Sequence, residues 1–404
     1  MLKKLILNKN FRIVFSLSWV FFLILAEVIL GGGGRYLSFG FLTVRMLLFI
    51  YAIFYSIFFY LFWGQINKKI FYFIVIYFAY LFHGFIVGFF NQGEFSLILE
   101  DIKPLSYGLI TGYFSIYVNS AYDIIKITKV IKICTLTLAL SYFIVILMLF
   151  TGSINYAEFY AKQNEIGEIS FRNNLLFFYK GFLYLSVGFF FYITSSGKIN
   201  KILALFLALA VILTLTRGFI LFTLLIYLVY LLFLTHGVGK KIILILTLIV
   251  GALIAGPFLI EEIGSKGESD SVRITQIEEV YKEINSISLI IGHGFGNGTE
   301  IRPIHMEISF LEIFHKQGLI GLLFWLGVLI FISREFLKIN DPNFKTIAIP
   351  YYLSFLFTFF QSFTNPFINN PIGMTIMLLN IVILIKINSY KKVRNHDFSL
   401  YTNL

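Results

Sequence analysis

Apolar runs follow one another down most of this 404-residue chain, parted by short polar stretches. Most are roughly 17 to 25 residues long, enough to cross a hydrocarbon layer of about 30 Å as a helix. Their pattern predicts twelve membrane helices, at about 11–30, 36–63, 70–90, 104–118, 133–150, 175–194, 202–216, 218–235, 242–260, 318–333, 346–363 and 372–387. The fourth is expected to start at Pro104, a position where a missing N–H does no harm. Lysine and arginine mark alternate junctions: Lys3, Lys4, Lys9 and Arg12, then Lys68 and Lys69, then Lys126, Lys129 and Lys132. That alternation is the positive-inside bias of membrane insertion and puts both termini in the cytoplasm. Two exterior loops stand out, a smaller one at 151–174 and a long one at 261–317, within a single integral membrane domain covering 1–404.

The pattern changes inside the long loop. Ile274, Ile277, Val280, Tyr281 and Ile284 recur at three- and four-residue steps, so 274–284 reads as an amphipathic helix. Glu278 and Lys282 form an i,i+4 pair on its wet side. A second helix is expected from about Pro303 to Gln317, with Gly318 as the break before the next span.

Composition agrees with this layout. The chain is 58% hydrophobic and 13% charged, where a soluble domain carries about 25% charged residues. A net charge of +11 would suit nucleic acid if the cations shared one surface, but they concentrate in the inner loops while most acidic residues lie outside, so no nucleic-acid partner is expected. The single cysteine, Cys134, lies in an apolar span and excludes an internal disulfide. Residues 11–30 lack a small-residue cleavage site and read as the first membrane helix rather than a cleaved signal. The chain shows no internal repeat, and its 49 phenylalanines are spread throughout as lipid-facing and packing bulk.

Few residues remain to carry chemistry. Arg217 stands between two apolar runs, where an arginine is costly unless it reaches the interface or an anion; it is either an anchor or a contact to a lipid-bound phosphate. Arg45 poses the same question within a span. Arg172, Arg273 and Arg302 lie on the side that insertion keeps poor in cations, and a guanidinium forks onto phosphate oxygens. Each alone is a surface charge; several on one cavity would make an anion site. The stretch GHGFGNG at 292–298 lacks the GK[ST] ending of a nucleotide loop. Its glycines, Gly294 and Gly296 among them, would let backbone N–H groups approach a sugar or phosphate. His305 can take a proton from a hydroxyl near neutral pH. Ser309 and Glu312 follow at helical steps on its face, with Glu307 on another. His293 and His315 stand twelve and ten residues from His305, spacings that match no compact zinc motif, so no metal is expected.

The order Arg273, amphipathic helix, IIGHGFGN, His305 and a helix ending GLIGLLFW resembles the O-antigen polymerase and O-antigen ligase superfamily, as does LTLTRGFIL around Arg217. The resemblance implies a helical membrane glycosyltransferase of the GT-C type in a bacterial inner membrane, with its main exterior loop between helices 9 and 10. It implies donors carried on undecaprenyl diphosphate at the periplasmic face, neither metal nor cofactor, and membrane lipids and a chain-length regulator protein as partners. Arg217 and Arg273 match arginines that bind the diphosphate, and His305 matches the loop histidine that serves as general base. In ligases that histidine lies eleven residues before the first glycine of GLxG. Here His305 lies thirteen before Gly318, and the ligase spacing falls on Glu307, so the base is His305 or Glu307. A polymerase joining repeat units is the expectation. A ligase passing finished polymer to lipid A–core is the alternative, and a lipid-linked oligosaccharide transporter a third.

Overall fold

A computed structural model describes residues 18–39, 42–62, 64–234, 242 and 267–390. The first helices are α1 (Ser18–Gly31), α2 (Val44–Phe62) and α3 (Lys68–Phe90). Next come α4 (Phe95–Ser106), α5 (Thr111–Tyr117) and the long α6 (Ala121–Phe150). The segment 151–174 holds α7 (Tyr156–Ile166) and strand β3 (Ile169–Phe171), which pairs antiparallel with β4 (Phe177–Tyr179); a shorter ribbon joins β1 (Ser38–Phe39) to β2 (Leu42–Thr43). The chain continues through α8 (Leu183–Ile193), α9 (Lys198–Leu213) and α10 (Arg217–Val229). The site region and last spans are α11 (Gly267–Glu283), α12 (Ser288–Ile291), α13 (Ser309–Leu337), α14 (Pro342–Gln361) and α15 (Pro371–Tyr390).

Among the described residues six helices are long and apolar enough to cross a membrane: α2, α3, α6, α10 with its continuation to Leu234, α13 and α15. The core explains their arrangement. A helix apolar all round must be covered on every side. α15 is buried from Ile372 to Ile385 and packs against α1, α3, α5, α13 and α14. α8 is buried from Leu183 to Tyr192. The outer helices show the opposite face: Phe54 and Leu61 on α2, and Ile144 and Phe150 on α6, are exposed, as suits contact with hydrocarbon. The fold is therefore an all-α membrane protein with two short ribbons.

Several boundaries differ from the expected ones. Pro104 lies inside α4 rather than at a helix start; the acidic segment before it is already helical because Ile98, Asp101 and Leu105 form one buried face. The sixth expected helix loses its first residues to β4, since 177–179 pair with 169–171. Residues 303–308 stay irregular, and α13 begins at Ser309 and continues past Gly318. The amphipathic helix forms, but Ile274, Ile277 and Tyr281 are exposed, while Gln276 and Val280 face inward. The expected helix 242–260 and residues 11–17 lie outside the described residues. Within the spans, Arg45 forks onto Glu27 through Nε–Oε2 at 2.8 Å and Nη2–Oε1 at 3.0 Å. That pairing makes Arg45 a strut between α1 and α2.

Candidate active site

The site is built on a broken helix. Gly318 takes φ 61° inside α13, and a side chain there would press a Cβ to 2.4 Å from the carbonyl oxygen of Ile290. The break leaves carbonyls of the preceding turn without their usual i+4 donors. The 292–298 turn supplies replacements: His293 N donates to His315 O and Gly294 N to Lys316 O, both at 2.8 Å. The same turn then seats against α3, with Phe295 N donating to Gly84 O at 2.9 Å. Gly294 lies so close to Gly88 that a Cβ would stand 1.9 Å from its nitrogen. Its N–H, like that of Gly296, which donates to Asp101 Oδ2 at 2.9 Å, is engaged within the protein. The expectation that Gly294 and Gly296 offer N–H groups to a ligand is thus not what the fold does with them. They let the turn lock α13 to α3 and α4.

Four ionisable side chains converge beside that turn. Lys316 Nζ lies 2.7 Å from Asp101 Oδ1 and 3.0 Å from Glu312 Oε1, and also donates to the Ile304 carbonyl. His305 Nδ1 lies 3.4 Å from Glu312 Oε1 and 3.8 Å from Asp101 Oδ1. Asn369 Nδ2 donates to the other Glu312 oxygen at 3.0 Å. Asp101, Glu312 and Lys316 are almost wholly buried, whereas the His305 side chain is 47% exposed. Burial raises the Asp101 pKa, against the pull of Lys316 and the Gly296 N–H. These groups, with Tyr80, Phe295 and Pro104, line one small cavity. One atom each from Asp101, His305 and Glu312 lie within 4.8 Å of one another, close enough for shared metal ligation. The Lys316 ammonium stands between the two carboxylates, where such a cation would sit, so the trio does not fit a metal while Lys316 is charged.

Three of the arginines gather next to this cluster. Glu307 lies between two of them, 3.2 Å from Arg273 Nε and 3.3 Å from Arg302 Nη2. Its backbone N–H donates to Gln276 Oε1 at 3.2 Å, which ties 302–307 to α11. Arg172 lies over the Phe178 ring at 5.7 Å. Burial, and after it the charge of Arg273, lowers its pKa. Phe178 also meets Phe219 edge-on at 5.5 Å, two residues beyond Arg217 at the start of α10. The structure therefore brings Arg172, Arg273, Arg302, Glu307 and His305 to one region, while Arg217 is exposed at the start of α10.

Asp101, Lys316 and Asn369, which bind the cavity's polar groups together, are absent from the sequence reading. Glu312 is recognised there only as sharing a face with His305. That geometry also differs, because His305 precedes α13 and folds back onto Glu312 from irregular chain. The one signal available for Lys316 is its i,i+4 spacing from Glu312 at the start of α13.

No protein-family model matches the chain. It is 30% identical over 257 residues to an O-antigen polymerase of Shigella flexneri, a stretch covering 63% of this chain and 64% of that protein. The matched stretch spans just under two thirds of that protein's length.

Proposed function

We propose that this chain is itself an O-antigen polymerase, a glycosyltransferase that joins oligosaccharide repeat units carried on undecaprenyl diphosphate at the periplasmic face of the inner membrane. The observation that carries the reading is the half-exposed His305, held against buried Glu312 beside a group of exterior arginines. The likeness to the Shigella flexneri polymerase agrees with it. The finer architecture is part of the same proposal: twelve spans of GT-C type, both termini cytoplasmic, the reaction under 261–317, and a chain-length regulator as partner.

The reaction follows from the residues. A carboxylate at Nδ1 favours the tautomer with its proton there, leaving the Nε2 lone pair as the base. Nε2 takes the proton of the acceptor hydroxyl, and that oxygen forms a bond to the donor's anomeric carbon. The bond from that carbon to the diphosphate oxygen breaks, and undecaprenyl diphosphate leaves with the electron pair. Negative charge grows on the leaving diphosphate, where fixed cations help most. Arg217, Arg273, Arg302 and Arg172 serve there. Glu307 is then the counter-ion of Arg273 and Arg302 in the resting chain, not the base, and the incoming diphosphate replaces it. The donor is already activated, and Lys316 holds the central cation position, so the mechanism is independent of metal.

The test is direct. Purified protein with synthetic lipid-linked repeat units should give a ladder of polymer on a gel, and His305→Ala should abolish it. A ladder of wild-type intensity from His305→Ala overturns this assignment. Cells lacking the protein should cap lipopolysaccharide with one repeat unit; uncapped core with polymer left on the carrier would make the chain a ligase instead.

A further inference from the structure

The 292–298 turn has a second side. Phe295 lines the reaction cavity, but His293 faces another cavity, of about 520 Å³, on the other side of the turn. Glu283, Asn285, Ser288, Asn297 and His315 complete most of its wall. A volume in that range suits a small ligand, and these side chains are almost all hydrogen-bonding and mostly uncharged. Asn91 and Asn297 each donate Nδ2 to the His293 carbonyl, at 3.0 and 2.8 Å, which fixes the floor. His315 is 2% exposed, and its ring nitrogens lie outside strict hydrogen-bond geometry, with the Asn297 backbone beside one of them; the His293 Nδ1 is buried and unmatched. The Glu283 carboxylate lies 3.5 Å from His315 Nε2, within ion-pair reach but outside hydrogen-bonding geometry. Buried polar atoms left so are uncommon and point to a partner that the folded chain does not itself supply.

The chemistry of that partner can be narrowed. A phosphate would meet a carboxylate and no arginine or lysine among the wall residues. A metal fits poorly: the His293 and His315 rings stack with centroids 4.5 Å apart and planes 23° from parallel, so their in-plane lone pairs do not converge on one tetrahedral centre. What remains is a hydroxyl-rich ligand able to give and accept hydrogen bonds, which neutral imidazoles and amides match one for one. His315 and Lys316 are neighbours on α13 and face the two cavities, so the cavities lie roughly one helix diameter apart, about 10 Å.

We propose that this second cavity is a carbohydrate subsite. It holds sugars of the lipid-linked chain away from the bond being formed, with His315, His293 and Glu283 as the hydrogen-bonding groups. The inference rests on the polymerase reading for which glycan it takes, though not for its taking a saccharide.

The experiment uses the full chain in nanodiscs and, as probe, free repeat-unit oligosaccharide released by mild acid from the producing cell's own lipopolysaccharide. Saturation-transfer NMR and titration should show binding to the wild type. Glu283→Gln, a half-exposed change that leaves the core intact, and His315→Phe, which keeps the ring stack, should each weaken it about tenfold or more. His305→Ala should leave it unchanged. With lipid-linked polymer as donor, Glu283→Gln should raise KM while sparing kcat and shorten the product ladder. No binding by the wild type, or equal binding by both variants, overturns the subsite; so does loss of binding in His305→Ala alone, which would put the sugar in the reaction cavity. Binding that obeys this pattern in a protein that makes no polymer keeps the subsite and removes the polymerase reading.

Discussion

His305 Nδ1 lies 3.4 Å from Glu312 Oε1, and Glu312 in turn is held by Lys316 at 3.0 Å and Asn369 at 3.0 Å. The histidine is thus oriented by a carboxylate that cannot itself turn away. A positioned base contributes roughly 10²–10⁴-fold, so His305→Ala should lower the initial polymerisation rate by about that factor. Glu312→Gln keeps the shape and removes the charge that selects the tautomer; its rate should fall by less, with KM nearly unchanged. Equal rates in wild type and Glu312→Gln would remove the carboxylate from the mechanism.

Lys316→Met should act on stability first. It leaves Asp101 and Glu312 facing each other without the ammonium that lies 2.7 and 3.0 Å away. Breaking a buried pair by removing one partner costs roughly 3–5 kcal/mol. Thermal unfolding in nanodiscs should show a clear drop in Tm, and adding Asp101→Asn to Lys316→Met should recover part of it, because charges in one network are not additive. A variant with the wild-type midpoint would mean the cluster is hydrated.

Arginine and glutamate variants separate the two candidate bases. Arg273→Ala should lose about 10²–10³-fold in rate, as removal of one preorganised donor does, and Arg302→Ala should fall in the same direction. Glu307→Gln should keep most activity if Glu307 is their counter-ion. Collapse of the rate in Glu307→Gln, with His305→Ala active, would reverse the assignment.

Acid should destabilise the site region. Burial lowers the pKa of His293 below its ordinary value. Between that lowered value and the unfolded value of about 6.5, the unfolded chain holds the proton and the folded chain does not. Stability therefore rises with pH there and is lost as pH falls below the unfolded value. Unfolding midpoints should drop on going from pH 7.5 toward pH 5.5, by less in His293→Gln. His315 and Glu283 face the same group, so the comparison needs His315→Gln as a control.

Much of this was legible in the residues. Runs of apolar side chains announced the six helices, among the described residues, that are long and apolar enough to cross a membrane, and Gly318 reads as a break because no other residue tolerates its φ so readily. Arg302 and Glu307 stand five positions apart, and Arg273, 34 positions from Glu307, lies within α11. Asp101 and Lys316 did not declare themselves. They are 215 positions apart, and each alone looks like a solvated charge at a helix end. Only tertiary packing reveals that both are buried. Gly294 and Gly296 misled for a related reason: a glycine that admits a ligand and one that admits a neighbouring helix carry the same letter. The exposed Ile274, Ile277 and Tyr281 show that period alone names a face without naming what it touches.

One rod carries both the chemistry and the anchor. α13 bears Glu312, His315 and Lys316 in its first turns and then runs on to Leu337. Its bend at Gly318 is pinned by the turn that separates the two cavities. A bilayer that thickens or thins changes the tilt of a spanning helix. On the proposed reading that tilt would pull on the reaction cavity through a clamped joint, and the thickness of the surrounding lipid should alter the rate of sugar transfer.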